Sequence, residues 1–164
     1  MNKGGNILDL FYIVLTVVVL AIVFMASWYI MSQVQPDLDA HLNNDVASNA
    51  SANALQAIAS FDYLLIFIIV GLLIATIISA FFIDTHPVFF VMSLLLFIMF
   101  MIVVPVLSNV FDGFATNSQM ITAADEFDVT TSFVGELPKY FVVMGGLVLI
   151  ALYAKYRTGG GEQI

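Results

Sequence analysis

The sequence predicts an all-α integral membrane protein with about four transmembrane helices, on three observations. The first is composition. Of 164 residues, 62% are hydrophobic and only 10% are charged, where a soluble domain carries about 25%. Such a chain cannot coat a soluble surface with polar groups. The second is the length of its apolar runs. A helix rising 1.5 Å per residue needs roughly 20 apolar residues to cross hydrocarbon about 30 Å thick. Runs of that kind occupy residues 10–31, 63–83, 88–107 and 137–156. The third is what the first three runs lack, since none contains Asp, Glu, Lys, Arg or His. A buried helix of a soluble protein is rarely so long and so free of charge. The whole chain, residues 1–164, reads as a single membrane domain with longer loops at 32–62 and 108–136.

Each span has its own boundary chemistry. The first follows Lys3 and Asp9. Its run is longer than a signal-peptide core of about 7–15 residues and no A-x-A site follows, so it reads as an anchor. The third opens at Pro87, a position where a helix has no use for the missing N–H, with Asp84 or Thr85 as its cap. Pro138 plays the same part for the fourth, whose apolar heart, 140–153, is short enough to tilt little or to thin the bilayer. Pro105 is expected in the last turn of the third span, where a break costs least. Tyr12, Trp28, Tyr29, Tyr63, Tyr140, Tyr153 and Tyr156 fall near span ends, where an amphipathic ring keeps one edge wet.

Orientation rests on three of the four bases, Lys3, Lys155 and Arg157, while the fourth, Lys139, stands beside the acidic loop that ends at 136. The 32–62 loop has none and carries Asp37, Asp39, Asp45 and Asp62. The 108–136 loop carries Asp112, Asp125, Glu126, Asp128 and Glu136. Basic residues stay on the cytoplasmic side. Both termini and the Asp84-Thr85-His86 turn are therefore expected inside, with two acidic loops outside.

The outer loops are not featureless. Val34, Leu38, Leu42 and Val46 recur every four residues, and 47–59 is rich in Ala, a strong helix former. The expectation is a helix that extends the first span beyond the membrane, bends near Pro36 and turns back into the second. Asn49-Ala50-Ser51 matches a glycosylation sequon by chance. Phe111, Phe114, Phe127 and Phe133 in the second loop either cover the outer ends of the helices or meet the interface or a partner. In the second span Gly71, Ala75 and Ser79 are spaced by four, flanked by Thr76 and Ala80. Small residues at that spacing let helix backbones approach closely in lipid, so this stripe is expected to face another helix. Gly145-Gly146 offers the fourth span a similar approach point or a place to bend.

Reactive chemistry is sparse. Without Cys there are no disulfides, thiolate nucleophiles or Cys-type zinc sites. His41 and His86 are expected on opposite faces of the membrane, too far apart to share a metal. Asp84-Thr85-His86 reads as a capped turn, and Gly159-Gly160-Gly161 as a tail rather than a phosphate loop. Transporters and pumps place ionisable groups inside their spans; here the main polar side chains are Thr16, Ser27, Thr76, Ser79 and Ser93. A net charge of −8 disfavours nucleic acid, which clustered Lys and Arg bind. The expectation is a protein that is not an enzyme, with no catalytic, cofactor-binding or metal residues and no cofactor.

One stretch is distinctive: Ile83-Asp84-Thr85-His86-Pro87-Val88-Phe89-Phe90, then an apolar run, then Leu107-Ser108-Asn109-Val110-Phe111-Asp112-Gly113-Phe114. With the basic end Tyr153-Ala154-Lys155-Tyr156-Arg157, it resembles small multi-spanning membrane proteins of lipid-containing bacterial or archaeal viruses. The resemblance covers roughly residues 60–157. It implies a virion membrane component and supplies no active-site residues.

The reading that follows is a non-catalytic structural protein linking the bilayer to capsid or vertex proteins. Its partners are then lipid and other membrane or capsid proteins, in many copies within a large assembly, with Asp125, Glu126 and Asp128 as candidate contacts. Two alternatives share the same physical signature: an accessory subunit of a cellular membrane complex, and a holin-like pore former.

Overall fold

A computed structural model describes residues 7–42, 45–82 and 87–159. Among them every regular element is a helix: α1 (Ile7–Leu42), α2 (Asp45–Phe82), α3 (Pro87–Ala115), α4 (Ile121–Glu126), α5 (Asp128–Gly135) and α6 (Leu137–Gly159). Four are long and apolar enough to cross a membrane, over Ile7–Leu38, Asp45–Ala80, Phe90–Ala115 and Leu137–Lys155. The chain is thus an all-α, multi-pass membrane protein.

The four long helices form a bundle with ring order α1, α2, α6, α3, and α1 also touches α6 across the middle. Consecutive α2 and α3 are not neighbours. Aromatic pairs set the levels. Phe24 stacks on Phe61 at 4.6 Å between α1 and α2, and Phe11 on Phe100 at 3.9 Å between α1 and α3. Phe97 stacks on Phe141 at 5.7 Å, and Phe90 lies 5.8 Å from Tyr153, between α3 and α6. Such offset pairs add about 0.5–1.5 kcal/mol each beyond their burial. The core between the helices holds Leu10, Val14, Val17, Ala21, Met25, Leu73, Val104, Phe141 and Val148. Most other apolar side chains point outward, as lipid-facing residues must.

Four expectations need correction. The first span does extend as a helix, α1 running through Pro36 to Leu42, but the Ala-rich segment 47–59 belongs to the start of α2. Pro36 removes one ladder hydrogen bond without ending the helix. Likewise Pro105 does not end α3, which runs on to Ala115. The loop 108–136 is mostly helical, as the end of α3 with α4 and α5. Finally, the stripe Gly71, Ala75 and Ser79 is not the face that α2 buries in the bundle. Gly71 and Ala75 are exposed and Ser79 is half-buried, and a Cβ built on Gly71 meets nothing within 4 Å. The face that α2 buries holds Leu65, Ile69, Leu73, Thr76 and Ala80. In lipid nearly every position of a span is apolar or small, so spacing alone cannot say which face meets which helix. Asp84, Thr85 and His86, and with them the expected cap of α3, lie outside the described residues.

Gly145 is the close-approach point that the sequence proposed. A Cβ there would press on the Phe97 ring of α3, so the ring occupies the space that the missing side chain leaves.

Candidate docking face

At one end of the bundle α4 and α5 lie across α1, α2 and α3. The turn leading into them is locally closed: the Asn117 side chain accepts from the Gln119 N–H at 3.0 Å, and the Asn117 carbonyl accepts from Met120 and Ile121. The aromatic residues of this segment point inward. Phe111 and Phe127 are buried, and Phe114 and Phe133 are half-buried against the core. Phe133 stacks on Tyr140 at 4.7 Å. Of the readings open for these rings, they cover the bundle end.

α5 cannot cap itself. Its N-cap position is Phe127, which has no side-chain acceptor. The acceptor comes from α2 instead. The Asp62 carboxylate takes the Thr130 N–H at 2.7 Å through Oδ1 and the Val129 N–H at 3.2 Å through Oδ2. These are two of the orphan donors that any helix start leaves unpaired. Asp62 is only 4% exposed. A buried carboxylate costs several kcal/mol unless its oxygens are satisfied, and charged hydrogen bonds to N–H groups supply that. The other end of α5 is held by α3, where the Ser108 hydroxyl points at the Val134 and Gly135 carbonyls, at 2.9 and 3.0 Å. Thus two spans grip the two ends of one short helix.

Around this grip the acids gather. Gln56, Ala59, Ser60, Asp62 and Tyr63 of α2, with Asp125 and Glu126 of α4 and Asp128 and Val129 of α5, line an open cavity of about 450 Å³. Four of these nine residues are acidic and none is basic. Asp62 forms its buried wall, already engaged with α5. Among the described residues no group of His and acids stands close enough to hold a metal ion. The cavity is a negatively charged concavity, suited to a cationic side chain. Lys139 pairs with Glu136 one helical turn away and does not line it.

Beside the cavity the α1–α2 hairpin projects further. The first eleven residues of α2, 45–55, precede Gln56, the first to line the cavity. About 16 Å of hairpin therefore stands clear of it, at 1.5 Å per residue. Val34 and Val46 are exposed there, as is His41.

Of the residues singled out in the sequence, Asp125, Glu126 and Asp128 are brought together at one cavity, while Gly71, Ala75 and Ser79 lie on the outer face of α2, away from it. The sequence reading missed Asp62 as a capping residue, Ser108 as the second grip, and Thr130. An acid directly before a clean apolar run was the available signal for Asp62. Its partner is 67 and 68 residues away, a distance no local pattern spans. Comparison of the chain with protein-family models, with characterised proteins and with solved structures finds no match.

Proposed function

We propose that this chain is a non-catalytic structural membrane protein, a virion membrane component that ties the bilayer to capsid or vertex proteins. The observation that carries the reading is the acid-lined cavity at the α4–α5 end, where Asp125, Glu126 and Asp128 open toward solvent with no base among the lining residues. It gives the bundle one face with a definite chemical preference. A partner presents Arg or Lys to it, with the projecting α1–α2 hairpin as a second point of contact. Both termini lie on the opposite, cytoplasmic side of the bilayer or its virion equivalent, and the chain acts in many copies. The exposed small-residue stripe of α2 suits contact between the spans of neighbouring copies.

The test is neutralisation. Asp125→Asn, Glu126→Gln and Asp128→Asn together leave membrane insertion intact, measured by resistance to alkaline extraction, but reduce the protein recovered in the assembly. Undiminished recovery would remove this face as the docking site.

A further inference from the structure

The cap formed by α4 and α5 adds polar fastenings to the apolar burial it shares with the long helices. The long helices hold one another through apolar contact over most of their length. α5 has eight residues, too few to be stable alone, since isolated helices shorter than about 12–15 residues are marginal in water. Besides the burial of Phe127 and Val134, two polar grips from outside hold it: Asp62 at its start and Ser108 at its end. A third observation opposes closure. The Thr130 hydroxyl, on a residue only 1% exposed, has no hydrogen-bond partner, although the backbone N–H of the same residue is held by Asp62. A buried orphan hydroxyl favours any state in which water can reach it. Helix interruptions flank the segment at the Thr116–Met120 turn and at Glu136, where α5 gives way to α6.

We propose that α4–α5 is a reversible strap, clasped shut by Asp62 and Ser108, with the Thr130 hydroxyl biasing it toward opening. Lifting it disperses the acid cavity, because Asp125, Glu126 and Asp128 ride on the strap while Gln56, Ser60 and Tyr63 stay on α2. It also uncovers Phe127 and Val134, both buried when the strap is down. The strap stands on the clasp geometry whether or not the cavity docks a basic partner.

The absence of native Cys makes the motion measurable. Val134, fully buried on α5, is replaced by Cys in the full chain in lipid nanodiscs, and its reaction with a water-soluble maleimide is followed. Labelling of a buried site reports the open population when opening and closing are fast. Asp62→Asn is expected to speed labelling at least about tenfold, the size of one lost hydrogen bond to a charged group. Thr130→Val, which keeps the shape and removes the orphan hydroxyl, is expected to slow it. A control Cys at Val104, fully buried on α3, stays protected throughout. The strap is overturned if Asp62→Asn and Thr130→Val leave Val134→Cys labelling unchanged. It is equally overturned if Asp62→Asn exposes the Val104 probe as much as the Val134 probe, since the grip would then hold the whole bundle. Neither outcome bears on neutralisation of Asp125, Glu126 and Asp128, so failure of the strap and failure of the docking reading remain separable.

Discussion

Two glycines in spans show how differently the same residue type is constrained. At Gly145 an added Cβ would press on the Phe97 ring. Gly145→Ala must therefore move Phe97 and its stacked partner Phe141. Overpacking of this kind costs about 1–3 kcal/mol, so thermal unfolding in detergent should shift clearly downward. At Gly71 nothing lies within 4 Å, and Ala is the better helix former. Gly71→Ala should leave the unfolding temperature of the isolated chain unchanged or slightly raised. Both glycines sit in apolar runs, and the sequence marked both as approach points. Only the Phe97 contact separates them, and Phe97 is 48 positions away in the chain, so no local pattern could rank them. Asp62 poses the same difficulty in reverse: its position before an apolar run looks like an ordinary span boundary until α5 is placed on it.

At the scale of elements, the spans were legible and the cap was not. The four apolar runs became α1, α2, α3 and α6 because in lipid every backbone group must be paired within its own segment, which makes helix the local answer to an apolar run. Segments 32–62 and 108–136 obey no such constraint. Their helices are fixed by neighbours: the outer part of α2 by the facing part of α1, and α5 by Asp62 and Ser108. The acidic residues of the cap were visible as a charge imbalance, but their gathering around one cavity needed the fold. The charge reading makes a salt prediction. Attraction between exposed groups is screened over about 10 Å at 0.1 M salt, so partner binding measured at rising salt should weaken steeply for the native chain and much less for the Asp125, Glu126 and Asp128 triple variant. His41→Gln with His86→Gln should leave assembly largely intact; a silent acidic triple variant beside an inactive His pair would point to proton-linked chemistry instead. On α2, Ala75→Leu should weaken association between copies, read by native mass spectrometry, without lowering the stability of the single chain. Ile74→Leu should be mild in both respects. Equal tolerance at the two positions would assign the stripe to lipid.

For the whole molecule, the decisive feature is that one end of the bundle gathers its acids while the bases Lys155 and Arg157 follow the apolar heart of the last span, 140–153. The cavity has one wall on α2 and the other on α4–α5, so the docking face exists only if the 45–62 and 108–136 segments lie on one side of the membrane. Single-cysteine labelling of membrane vesicles measures this directly. Ser51, inside the α1–α2 hairpin, is buried at 4% and makes a poor probe, whereas Asn53 and Asn117 are exposed. Cys at Asn53 and Cys at Asn117 are predicted to react with an impermeant maleimide added outside, while Cys at Thr158 reacts only after the membrane is opened. Reaction of the Asn53 and Asn117 probes from opposite sides would contradict the four-span bundle and its shared acidic face.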